Sequence, residues 1–132
     1  MRVIFIDGVN KKIEELEIEG SLKELQDLAA AQSGIICIAN YITYNGTENI
    51  IYVDDEGLLG NTFPMKGFEY KEIFYAGNGV IVGSNHGDSI SSNLLVTDLN
   101  RMIDFVEKNE EEVTEMLNTG FKIFSDGIEL NY

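Results

Sequence analysis

Two strongly apolar runs, Ile50–Val53 and Gly79–Gly83, lie in the stretch from Asn49 to Asp88, each closed by an acidic or glycine-rich turn. Short β-branched runs bounded by such turns read as buried strands. The rest of the chain must therefore supply elements that pack on them. Upstream, Val3–Ile6 closes on Asp7-Gly8, and Glu15-Leu16-Glu17-Ile18-Glu19 alternates with the period of a half-buried strand. Separated by Asp7 to Lys12, the two predict a hairpin.

Gly20-Ser21-Leu22-Lys23-Glu24 marks a boundary: Ser21 can cap a helix, with Glu24 as its capping-box partner. Leu22, Leu25, Leu28 and Ala29 then form one stripe, and the spacing predicts a helix ending near Ser33-Gly34. Ile35–Ile42 is strand-like. Asn45-Gly46 signals a turn, with Thr47 to Asn49 lengthening the connection. Asp54-Asp55-Glu56-Gly57 suits a solvated hairpin tip, and Leu58–Lys71 reads as a loop or an irregular strand pair. Ile73–Ala76 and Val80–Val82 are strands interrupted by Gly77-Asn78-Gly79, as by a bulge or tight turn, and Gly83–Asn93 reads as loop. A helix is expected from Thr97 to about Asn118, with Leu99, Met102, Ile103, Val106, Val113 and Leu117 on one side. Phe121–Phe124 and Ile128–Tyr132 suggest a terminal hairpin. The fold class expected is α+β: one domain of 132 residues, a mostly antiparallel sheet, a short helix in the N-terminal half and a long acidic C-terminal helix.

Charge narrows the function classes. With 23 acidic against 9 basic residues, the net charge is −14. Direct nucleic-acid binding needs clustered Lys and Arg, and anionic membranes need the same. Attraction to basic protein surfaces is favoured instead. Cys37 is the single cysteine and sits in an apolar run, which fits an inert buried thiol in a reducing cytoplasm. The apolar part of MRVIFIDGVNKK is too short for a signal peptide, and no run reaches membrane-spanning length.

No motif specifies a reaction. Ser84, His86 and Asp88 alternate, yet triads draw on separated elements and no nucleophile elbow is present. One histidine and one cysteine lack zinc-ligand spacing, and Asp54–Gly57 lacks the spaced ligands of a calcium loop. No catalytic residue, metal or cofactor is expected. Two binding readings remain. From Gly77 to Val96 the one formally charged residue is Asp88, and glycine-rich turns there could cradle an anion. Asn78, Asn85, His86 and Tyr75, with Arg101 just beyond, would then hold a nucleotide-like ligand. Alternatively, Asp104, Glu107, Glu110, Glu111, Glu112 and Glu115 would line one acidic helix and bind a partner protein, as a nucleic-acid mimic or plain inhibitor. Met102, Ile103, Phe105 and Val106 offer more apolar surface than one helix needs on a sheet, and predict a homodimer or higher oligomer.

The order GSLKELQDLAA, a strand, VDDEGLL, GNGVIVGSNHGD and a T-D-L-N-R helix start resembles the domain-of-unknown-function 3846 family, small proteins of phages and mobile elements. The resemblance covers about Val3 to Val106. The chain departs from it in its YITYNGTEN connection and its C-terminal extension. The family brings no catalytic residues. What it implies is a phage or integrated-element gene acting in a bacterial cytoplasm, as an accessory or counter-defence factor. The binding reading would then be inhibition of a host protein, or sequestration of a nucleotide-like immune signal, with a hydrolase as a third class.

Overall fold

The N-terminal run forms β1 (Arg2–Asp7), and the glutamate-rich alternation forms β2 (Lys12–Glu17), paired antiparallel with Val3 opposite Leu16. Asp7 closes the turn between them. It is buried, and its carboxylate accepts bonds from Asn10 N–H (3.0 Å) and Asn10 Nδ2 (2.8 Å). Burial alone would raise this carboxyl, but the Asn10 bonds, helped by Val9 N–H and Lys12, hold it below its ordinary 3.8. A lowered folded value adds stability above the unfolded value and loses it as pH falls through the folded one. Asp7→Ala should therefore cost about 1–3 kcal/mol near neutrality and progressively less in acid, read from urea midpoints at pH 7 and pH 3.

The computed structural model describes residues 1–30 and 34–119. After β2 the chain enters α1 (Leu22–Leu28), with the capping box formed: Glu24 N–H donates to Ser21 Oγ, and Ser21 N–H to Glu24 Oε1. The helix stops at Leu28, short of the expected Ser33-Gly34, with Ala29 as its cap. β3 (Ile36–Tyr44) and β4 (Thr47–Asp54) form a hairpin tighter than expected. Asn45 and Gly46 both take left-handed φ (46° and 80°), so a two-residue turn suffices and Tyr44 pairs with Thr47.

Asp54–Gly57 is a crossover, not a hairpin tip. It leads through a 3₁₀ turn (Gly57–Leu59) into β5 (Met65–Tyr70), a regular strand where a loop or irregular pair was expected. β5 pairs with β6 (Ile73–Ala76). Gly77-Asn78 then switches sheets rather than forming a bulge: β7 (Gly79–Asn85) joins the first sheet. β7 runs on where loop was expected, turns at His86-Gly87, and returns as β8 (Asp88–Ile90).

The long helix expected over 97–118 is replaced by three elements. α2 (Val96–Leu99) is a single turn without a side-chain cap, so Thr97 does not cap it. Ile103–Lys108 is a strand, β9, paired with β5. α3 spans residues 110–119. The period is two, not 3.6: Ile103 and Phe105 face the first sheet, and Val106 faces α3. The helix starts at Asn109, whose Oδ1 accepts from Glu112 N–H while Glu112 Oε1 accepts from Asn109 N–H. That N-x-x-E capping box was legible in the sequence. The terminal hairpin expected over 121–132 lies outside the described residues.

The larger sheet runs β2-β1-β7-β4-β3, with β8 on β7; the smaller runs β6-β5-β9. Ile4, Ile6, Ile51 and Ile81 meet Phe68, Tyr70 and Ile103 between the sheets. Leu25 of α1 covers Val3, Val80 and Val82 on the outer face of the larger sheet. Val113 and Met116 of α3 cover Met65, Phe74 and Val106 on the outer face of the smaller. The layers are thus helix, sheet, sheet, helix. No helix among the described residues is long and apolar enough to cross a membrane.

Candidate functional site

The five residues expected to surround a nucleotide are not brought together. Asn78 is fully used by the frame: its Oδ1 accepts from Gly8 N–H (3.0 Å) and its Nδ2 donates to Leu28 O (3.5 Å). Asn85 and His86 are exposed at the opposite end of β7, about 20 Å away at the usual rise of a strand. His86 is a turn residue with φ 50°. Arg101 is exposed in the turn between α2 and β9. The absence of charge that marked this stretch has a packing cause: Gly79 to Gly83 are all buried, because β7 is paired on both edges and covered on both faces.

Tyr75 does line a cavity, a cleft of about 450 Å³ between the β3 edge of one sheet and the β6 edge of the other. Cys37, Ile38, Leu58, Leu59 and Ile73 share it. The Tyr75 ring packs 5.5 Å from Phe68, centroid to centroid, and its Oη donates to Ala39 O (3.1 Å). Burial pushes the Tyr75 phenol up. Burial, then a hydrogen bond to Asp55 and its negative charge, pushes the Cys37 thiol up as well. A raised thiol is a poor nucleophile at neutral pH. The sequence offered a weak signal for the cleft, since Ile38, Leu59 and Ile73 lie in three separate apolar runs whose meeting depends on how the two sheets are stacked.

A buried polar network fastens the β3–β4 tip to the segment that follows β8. Ser92 Oγ donates to Asn49 Oδ1 (2.7 Å), Asn49 Nδ2 to Asn93 Oδ1 (2.9 Å), and Asn93 Nδ2 to the Tyr44 carbonyl (2.7 Å). Tyr44 Oη donates to the Asp98 carboxylate, a bond that raises the phenol. Every buried side-chain polar atom among the described residues has a partner, so this network reads as a fastening. The described residues contain no group of three metal-ligating side chains.

The acidic residues divide. Asp104, Glu110, Glu111, Glu112 and Glu115 are exposed on the α3 side of the smaller sheet, in two elements rather than one helix. Asp104 lies opposite Glu69, a like-charge pair, and Lys108 reaches Glu69 (3.5 Å) and Glu112 (3.8 Å). Glu107 points to the other side of its strand, towards Lys11 (3.9 Å). Phe105, expected to cover a second subunit, is half-buried against the core between the sheets, and Ile103 is buried outright.

No family model, curated protein or solved structure matches the chain.

Proposed function

We propose that the protein is a non-enzymatic binding protein whose outer acidic face docks on a basic surface of a host protein, as an inhibitor. The observation that carries this is the disposition of carboxylates on the α3 side. Glu110, Glu111 and Glu112 occupy the first turn of α3, where negative charge suits the helix dipole. That accounts for three of them. It does not account for Glu115, one turn beyond Glu111, nor for Asp104 placed across from Glu69. Like charges at these spacings are mildly destabilising, and Lys108 offsets this only in part, through Glu69 and Glu112. A pattern that costs stability and faces solvent fits an electrostatic docking surface, which gains on-rate and selectivity from its field. The phage context rests on the sequence resemblance alone.

The test is cross-linking capture from a bacterial lysate with wild-type protein and with Asp104→Lys, Glu111→Lys and Glu115→Lys combined. Glu112 is left in place because it caps α3. Exposed charges are screened beyond ~10 Å at 0.1 M salt. Partners should be captured by the wild type at about 0.1 M salt, lost at about 0.5 M, and lost with the triple variant at either. Capture that ignores both salt and charge reversal removes the acidic face from consideration.

A further inference from the structure

From the edge of the larger sheet we infer a second interaction surface, one that takes another copy of this chain through antiparallel pairing of β3 with itself. It is separate from the acidic face and does not rest on it. An unpaired strand edge templates further pairing along any stretch that is not short, charged, bulged or covered. The other edges carry such devices. β2 presents Lys12, Glu14, Glu15 and Glu17; β6 has four residues; β8 has three; β9 carries Asp104, Glu107 and Lys108. β3 has nine residues, ICIANYITY, with neither charge nor proline, and among the described residues it ends the larger sheet.

The side chains around this edge agree. Ile38 (45% exposed) and Tyr41 (47%) stand on β3, and Leu59 (67%) and Ile73 (50%) line the adjoining cleft with Ile38. Asp55, Glu56 and Glu72 stand near the cleft mouth. An apolar centre with a polar rim is the usual anatomy of a protein interface. The register shift between Ile38 and Asn40 divides the strand into Ile36–Ile38 and Asn40–Tyr44, and the second is the longer regular part of the edge. The Tyr41 N–H bonds to the side chain of its own neighbour, Asn40 Oδ1 (2.8 Å), and would exchange that acceptor for a strand carbonyl.

Charge selects the occupant. Two copies each carrying −14 repel wherever carboxylates meet carboxylates, and β3 is the long edge among the described strands that brings no carboxylate of its own to the contact. A basic partner would gain nothing at a neutral strand. Antiparallel self-pairing is also what a two-fold axis allows, since one strand supplies both halves of the contact. The result is a continuous sheet ordered β2-β1-β7-β4-β3 and then the same strands of the second copy in reverse.

Sedimentation equilibrium of the full chain tests this. Wild type should be dimeric at about 100 µM, and Ile38→Lys with Tyr41→Lys should be monomeric, with unchanged circular dichroism and melting temperature because both side chains are half in solvent. Added salt should tighten the dimer by screening its self-repulsion, the opposite of its effect on acidic-face binding. A wild-type monomer at that concentration overturns the inference, as does a double-lysine variant that still dimerises. A wild-type monomer that dimerises once residues 120–132 are removed assigns the edge to that segment and overturns it too.

Discussion

Gly8→Ala should unfold the protein or lower its melting temperature by at least about 10 °C. A Cβ on Gly8 would sit 1.9 Å from the Gly77 carbonyl oxygen and 2.9 Å from Gly67 Cα, all backbone. Backbone cannot rotate aside as a side chain can. The β1–β2 turn would have to withdraw from the Gly77 switch by more than an ångström, and Gly77 N–H is itself held by the Lys66 carbonyl (2.7 Å). Moving the turn would also break the Gly8 N–H bond to Asn78. Overpacking usually costs about 1–3 kcal/mol, and a contact with no flexible atom belongs at or above the top of that range. Gly60→Ala is the control: its nearest neighbour is a Met65 methyl at 3.6 Å, and its φ of −64° is open to alanine. Thermal melts of the two variants should differ by nearly the whole Gly8 effect. If Gly8→Ala melts like Gly60→Ala, the three-glycine contact is not tight in solution.

Phe68→Ala should cost about 3–5 kcal/mol, a large share of the 5–15 kcal/mol typical of a folded domain. Phe68 is completely buried at the centre of the layer between the sheets, stacked beside Tyr75. Its ring also lies where a Cβ on Gly79 would go, with Cζ 2.9 Å from that point. Gly79→Ala alone should therefore destabilise by pushing the ring. In the Phe68→Ala background both close ring contacts are gone, the next atom is Ile6 Cδ1 at an ordinary 3.5 Å, and the methyl fills part of the cavity. A double-mutant cycle by urea unfolding should give a total smaller than the sum of the singles, by about 1 kcal/mol or more. Strict additivity would mean that the ring and β7 do not touch as described.

The two proposed surfaces can be told apart by ionic strength alone. Salt should weaken capture through Asp104, Glu111 and Glu115 and strengthen pairing through β3, because one contact joins opposite charges and the other joins like-charged molecules at a neutral seam.

Local chemistry carried much of the fold in the sequence itself. The β1–β2 hairpin, the Ser21–Glu24 capping box, the β3–β4 strands and the centre of β7 are each set by contacts within a few residues or by a clear period, and they form, with β7 running on to Asn85 and the β3–β4 turn tighter than expected. The C-terminal third was misjudged for a physical reason. Leu99, Met102, Ile103 and Val106 fit a helical stripe, while IDFVEK equally fits a strand, and short segments do not settle such a tie by propensity. Pairing with β5 settles it, through Phe68 opposite Phe105 and Tyr70 opposite Ile103. The candidate ligand set failed for a related reason: lack of charge marks a buried central strand as readily as a binding loop, and β7 proved to be the strand. What only the tertiary structure decided is the stacking of two sheets. The switch at Gly77 depends on Gly8, 69 positions away, which must lack a Cβ because one there would run into the Gly77 carbonyl and the Gly67 Cα. The β3–β6 cleft, and the place of β3 at the end of its sheet among the described residues, exist only once that stacking is in place, because no local period records which strand will stand at an edge.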